Sequence, residues 1–451
     1  MTDRSIIPVT GKQRDIKFPD FKEIDFDNGL KVFLVKDNRY DLITTRFLFR
    51  SGSYFDCFSG KNKSGLASIT SEMLNKGTTG YDAHQIAEIL DINGALIGSG
   101  AGYDASFLSL TCLPSNFDMV FGLGADMILE PSFPDAELDN KKNRMINSLI
   151  SMQDDGAYLA ERIFKTKIFE GTPYAGDPDG NIKSVGGFER ADLSGFKNKY
   201  FIPSNMIIAA VGNFDADYIV KKMRGKFDFK SGQAEPGNFN CKLKQEGIKI
   251  YLKEKADATQ ASLHMGHRGV PRNTEDSVKI VFLNTMLGGS FTSRINRNLR
   301  EEKGLTYGVR TAFSFMKYSG DFSIEAEINH DKAGQAVEEI INEMNDIRNN
   351  CAENDEIQKV KNYISGNYPM QLETSNNVAG KILSLELYGV DKNYYNSYLS
   401  EVDAVTGEDI ISTAEKYILP EELTIVAAGN VKKLKEQLSG FGEIIIIEEV
   451  L

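Results

Sequence analysis

The sequence has no tryptophan, only four histidines and four cysteines, and no run of apolar residues approaching the roughly 20 needed to cross a bilayer. Each shortage excludes something. The cysteines, Cys57, Cys112, Cys241 and Cys351, are scattered without a CxxC pair. That spacing argues against a disulfide framework or a thiolate metal site and for buried free thiols in a reducing compartment. Cationic residues are also in deficit: Lys+Arg 52 against Asp+Glu 64 gives a net charge of −12. Phosphate backbones require a basic surface, so nucleic acid is excluded as a general ligand. No GxxxxGK[ST] loop occurs, and no GxGxxG follows a strand. The nearest candidate, IGSGAG from Ile97, fails both spacings and reads as an irregular strand.

What remains is an ordinary globular composition, 41% hydrophobic and 26% charged, with 27 Phe and 18 Tyr to fill a core of two or three domains. The start, MTDRSIIPVTGKQRDIKF, carries charges where a secretory leader needs an apolar run. A soluble, cytoplasmic protein without membrane association is expected, periplasmic only if a leader has been removed.

The chain repeats itself. KYFIPSNMIIAAVGN from Lys199 lies over KYILPEELTIVAAGN from Lys416 at an offset of 416 − 199 = 217, matching Lys199, Tyr200, Pro203, Gly212 and Asn213 to Lys416, Tyr417, Pro420, Gly429 and Asn430 without a gap. Each copy opens with alternating β-branched and aromatic residues, as in LKVFLVKD from Leu30 and IKIYLKE from Ile248. Helical spacing follows, then Y-x-x-P, a strand and a charged helix. The expected fold class is α+β, two duplicated units of sheet covered by helices on one face. SGQAEPGNFN, Ser231 to Asn240, has turn-forming residues and no apolar periodicity. The expected division is therefore 1–230, a linker at 231–245, and 246–451.

Six stretches in order carry a resemblance. They are DFDNGLKVFLV near Asp25, SGLASITSEMLNKGT from Ser64, FPDAELDNKKNRMINSLISMQDD from Phe133, TPYAGDPDG from Thr172, YFIPSNMIIAAVGN from Tyr200 and LGGSFTSRINRNLREEKGLTYGV from Leu287. Together they resemble the pitrilysin/insulinase-like zinc peptidases, in the shorter bacterial and mitochondrial-processing form. In active members the helix that reads GLASITSEML here carries H-x-x-E-H, two imidazoles one turn apart that hold zinc and a glutamate that activates its water. The resemblance places those positions at Ser68, Ser71 and Glu72, and the third ligand, a glutamate, at Ser148. Serine hydroxyls are not donors for such a site, and one carboxylate should not retain the metal. No metal or other cofactor is expected in this chain.

A serine nucleophile would need a positioned histidine. His84 reads as a solvated helix residue. His264 and His267 are three apart on an extended segment and point to opposite faces, and His330 falls in a turn beside Asp331.

Other residues are kept. The resemblance assigns an Arg near the end of the TSRINRNLREEKG helix, with Thr292 or Ser293 as N-cap and Gly304 as stop, and a Tyr seven positions later, to substrate contacts across a chamber. In this chain these are Arg300 and Tyr307. A guanidinium donates a planar fork to a peptide carbonyl, and a phenol can donate to a developing oxyanion. The plain alternatives are a surface cation offsetting a helix dipole and a half-buried aromatic. Arg294 and Arg297 share the helix and could substitute. The substrate edge strand of the family falls at Gly94 to Asp104, where Gly98, Ser99, Gly100 and Ala101 depart from the usual pattern.

These features imply a catalytically incomplete subunit of a heterodimeric zinc peptidase, inactive alone, which supplies Arg300 and Tyr307 to extended peptides while a homologous partner supplies zinc. Isolated, it could pair with itself. The competing readings are a structural core-type subunit and a non-cleaving peptide-binding protein of the same fold.

Overall fold

The computed structural model describes residues 16–230, 232–234 and 247–448. The linker expected at 231–245 falls outside the described residues except for 232–234. Twelve strands form two six-stranded sheets among the described residues. The first contains β1 (Lys22–Asp25), β2 (Lys31–Lys36), β3 (Ile43–Phe49), β4 (Leu96–Ala101), β5 (Ser106–Cys112) and β6 (Met206–Gly212) in the order β1-β2-β6-β3-β5-β4. The second contains β7 (Lys249–Glu254), β8 (Ala261–Gly269), β9 (Val309–Phe315), β10 (Gly320–Ile328), β11 (Thr424–Gly429) and β12 (Glu443–Ile447) in the order β12-β7-β11-β8-β10-β9.

The duplication is therefore structural. The repeated Y-x-x-P-strand segments become β6 and β11, third in each sheet, parallel to β2 or β7 and antiparallel to β3 or β8. The preceding helices, Arg190–Tyr200 and Gly407–Tyr417, end on the matched tyrosines. The copies differ at one edge, where β1 runs antiparallel to β2 but β12 runs parallel to β7.

Each unit's own helices cover one face of its sheet, as the pattern predicts. Ile208 and Ala210 of β6 and Val32 and Leu34 of β2 meet Phe121, Met223 and Phe196 there. The opposite face is also buried, and the helix on it comes from the other unit. Phe33, Val35, Ile207, Ala209 and Val211 pack against Val378, Ala379, Ile382 and Leu383 of the helix Ser375–Tyr388. Reciprocally, Tyr251, Val426 and Ala428 of the second sheet pack with Leu159, Ala160, Ile163 and Phe164 of the helix Gly156–Ile168. Polar contacts fix both exchanges. Glu386 accepts from Arg50 at 2.9 Å and from Lys31 at 3.2 Å, and Lys165 pairs with the fully buried Asp321 at 2.6 Å. Central strands buried on both faces explain the unbroken apolar runs MIIAAV and TIVAA.

The two histidines of β8 separate to opposite faces, as expected. His264 stacks on Phe164 of the exchanged helix with ring centroids 4.6 Å apart, while His267 lies 5.2 Å from Phe322 and its Nε2 accepts from the Leu419 backbone at 3.1 Å. His84 is exposed on the helix Ala83–Ile92, and His330 begins a short turn. The thiol expectation holds for Cys112, which is buried, but Cys57 and Cys351 are at the surface, and Cys241 lies outside the described residues.

Burial lowers the His264 pKa from 6.5 to about 3 and that of His267 to about 4. Below pH 6.5 the unfolded chain thus binds protons that the folded chain refuses, so stability falls as pH drops from about 6.5 toward 4, by up to about 1.4 kcal/mol per pH unit for each imidazole. Denaturant titrations across that window will show this loss, and His264→Gln will flatten it without removing it.

Candidate functional site

The positions that the resemblance assigns to the metal motif sit on a seven-residue helix, Leu66–Glu72. Gly65 precedes it at φ +90°, a left-handed backbone, and a Cβ there would lie 2.9 Å from Gly180, so glycine is required. Buried Asp56 caps the first turn, accepting from the backbone N–H of Gly65 at 2.8 Å and of Ala67 at 2.9 Å. Burial pushes the Asp56 carboxyl well above the usual carboxylate range, against the pull of these N–H donors.

Ser68 and Ser71 are both buried on this helix, and Ser71 Oγ donates to the Ala67 carbonyl at 2.8 Å. Its hydroxyl is spent on its own backbone. Glu72, the one carboxylate in the set, is ion-paired with Lys141 from the facing helix Asp135–Met152. Ser148 lies on that helix too, seven residues after Lys141 and so on the same face two turns on, but it is exposed. These residues do not fit a zinc ion: imidazole and a second carboxylate are missing, and an ammonium holds the remaining one. Burial, with Arg144 nearby, lowers the Lys141 pKa from its ordinary value. Among the described residues no group of three or more His, Cys, Asp or Glu side chains is arranged to hold a metal ion. The helix packs beside β4, which runs along one edge of the first sheet and contains Gly98, Ser99, Gly100 and Ala101.

Arg300 and Tyr307 lie elsewhere, together, on a cleft of about 800 Å³ over the second sheet. None of Ser68, Ser71, Glu72 or Ser148 lines it. Ser293 stands at the N-cap position, as read, though without a side-chain cap bond. The helix begins at Arg294–Asn296 and widens into a π-helical turn at Arg297–Glu302. That wider turn closes through Leu305 N–H to the Leu299 carbonyl at 2.7 Å, with Gly304 at φ +61°. Arg300 projects from it over the Phe291 ring, 3.7 Å from the centroid, and donates to Glu301 at 2.9 Å. Tyr307 is 91% exposed, and its hydroxyl makes no hydrogen bond among the described residues.

The other arginines of the segment are committed. Arg294 is buried, with Nε and Nη2 on Glu356 at 2.8 and 2.7 Å and Nη1 on Asp346 at 2.9 Å, so it cannot substitute for Arg300. Arg297 is exposed and 3.6 Å from Glu302. The sequence reading missed the rest of the lining. Arg310 and Glu325, paired across β9 and β10, face the same cleft with Glu327, His264 and Ala157, which opens the exchanged helix. It also missed Lys141, although the seven-residue spacing before Ser148 would have put it on the ligand face.

Comparison with known proteins agrees with the fold. Residues 31–175 match the family described as insulinase, peptidase family M16, and residues 187–364 match the peptidase M16 inactive domain. Two relatives are an uncharacterized zinc protease of Rickettsia felis, 25% identical over 86% of this chain and 93% of its own, and a Helicobacter pylori protein named non-peptidase homolog YmxG, 23% identical over 86% and 89%. Two solved structures share the fold. The peptidase M16 inactive domain from Pseudomonas fluorescens has a TM-score of 0.83 at 24% identity, over 91% of this chain and 98% of that one. A protease from Helicobacter pylori has a TM-score of 0.85 at 19% identity, over 91% and 100%. This chain belongs to the pitrilysin/insulinase-like M16 family, as a member without a clear zinc site of its own. No helix of the described residues is long and apolar enough to cross a membrane.

Lys141 adds an electrostatic obstacle to the missing ligands. With Ser68→His, Ser71→Glu, Glu72→His and Ser148→Glu installed together, zinc affinity measured against a chromophoric chelator will stay weak while Lys141 remains. Adding Lys141→Gln will raise it at least about tenfold by removing a like charge from the site.

Proposed function

We propose that this chain is the complementary subunit of a two-chain zinc peptidase, inactive alone, with its units divided at 231–245. Arg300 and Tyr307 are the catalytic residues it supplies, and the metal and its water come from a homologous partner. One contrast carries the reading: an ammonium sits on the only carboxylate of the old metal site, whereas Arg300 and Tyr307 stand together at the mouth of a large cleft. Tyr307 is 91% exposed, so its hydroxyl is open to a substrate in that cleft.

Within that site the chemistry divides. Arg300, held against Phe291, would grip a substrate carbonyl with the fork that Glu301 leaves free. Tyr307 would donate to the oxygen that gains negative charge as the peptide bond is attacked. Extended peptides would add to a sheet edge, and the side-chain-poor stretch from Gly98 to Ala101 favours docking on the partner's edge. The name non-peptidase homolog borne by the Helicobacter pylori relative suits a chain that does not cleave unaided.

The test mixes the purified chain with a zinc-bearing homologue from the same genome and follows cleavage of a quenched fluorescent peptide. Activity will appear only in the mixture. Arg300→Ala or Tyr307→Phe will each lower kcat/KM by about 10²-fold while the complex still elutes intact. Unchanged turnover in both variants contradicts the roles of this pair, and a stable complex with no hydrolysis at all favours the structural reading.

A further inference from the structure

The first sheet's far face, where the exchanged helix Ser375–Tyr388 docks, holds a second cavity of about 290 Å³. Arg46 enters it from β3. Its guanidinium lies over the Phe107 ring, 4.6 Å from the centroid, and Gly380 brings the helix backbone so near that a Cβ there would sit 3.1 Å from Nη1. The residue as a whole is half-buried, but its Nε is buried without a hydrogen-bond partner, and no carboxylate is ion-paired with Arg46 among the described residues. Burial alone lowers its pKa, with no neighbouring charge to offset the loss of water.

A guanidinium stays protonated in proteins, and its rigid fork matches a carboxylate. Leaving its buried Nε unpaired is costly unless something occupies the space beside it. The acid of the cavity is not that partner. Asp104 Oδ1 accepts from Tyr174 Oη at 2.6 Å and Oδ2 from the Lys317 backbone N–H at 3.0 Å. Around Arg46 the lining is otherwise largely apolar or aromatic, with Leu48 and Phe107 from the first unit and Phe315, Met316 and Leu383 from the second. A few convergent polar groups in an apolar concavity are the mark of a small-molecule site.

We propose that this cavity binds a small organic monocarboxylate with an apolar body, its carboxylate on the Arg46 guanidinium and its body against Phe107, Phe315 and Leu383. Such a ligand touches both units and therefore tightens the joint between them. Neither Arg300 nor Tyr307 lines this cavity, so the assignment stands or falls apart from the peptidase reading.

The probes are 3-phenylpropionate and its neutral amide, 3-phenylpropanamide, titrated into the full chain by calorimetry and by thermal melting. The acid will bind saturably below about 10 mM and raise the Tm, and the amide will bind at least about tenfold more weakly. Arg46→Met, checked for a cooperative melt, will abolish the preference for the acid. Should that variant not fold, Arg46→Lys keeps the charge but loses the fork, and will bind the acid about tenfold more weakly than the parent chain. Equal binding of acid and amide, no binding of the acid by about 10 mM, or undiminished acid binding by whichever Arg46 variant folds would overturn the assignment.

Discussion

The structure depends on a reciprocal exchange of helices. Neither sheet is closed by its own unit: the first needs the helix Ser375–Tyr388 and the second needs the helix Gly156–Ile168. Without the exchange, Phe33, Val35, Ile207 and Val211 on one side, and Tyr251, Val426 and Ala428 on the other, would face water. Apolar area of that size sets the scale of a domain's stability, so the halves have reason to fold as one body. The same exchange places both cavities. Ala157 brings the start of one exchanged helix to the rim of the Arg300 and Tyr307 cleft, and Gly380 brings the other onto Arg46.

Within this frame the two halves place different side chains on equivalent scaffolds. The first has the helix Leu66–Glu72 with its Asp56 cap and obligatory Gly65, and the positions that the resemblance assigns to zinc carry buried hydroxyls and an ion pair. The second commits Arg294 to Glu356 and Asp346 as a buried anchor, which holds the widened turn from which Arg300 projects. A rigid support under an exposed pair is what positioning of a reacting peptide requires.

Much of this was legible in the sequence. The 217-residue offset reports two homologous units, and Gly212 and Gly429 mark equivalent strand ends. The separation of His264 from His267 followed from strand geometry alone. The exchange did not emerge, because a helix's amphipathic pattern says that it has an apolar face but not which sheet receives it. A clue was present all the same: MIIAAV does not alternate, and a strand that does not alternate is buried on both sides. Lys141 was overlooked for another reason. The spacing to Ser148 gives Lys141 its face of the helix but not its partner, and Glu72, which it pairs with, is far away in the chain. The availability of Arg300 over Arg294 was likewise a matter of tertiary partners, since both read as basic residues of one short helix.

The most direct test of the central claim is the zinc content of the purified chain, determined by elemental analysis after equilibration with excess zinc and removal of free metal. The ion pair between Lys141 and Glu72, together with the serines at 68, 71 and 148, predicts well under about 0.1 zinc per chain and no peptide cleavage by the chain alone. Stoichiometric, tightly held zinc accompanied by unaided peptide hydrolysis would contradict the account.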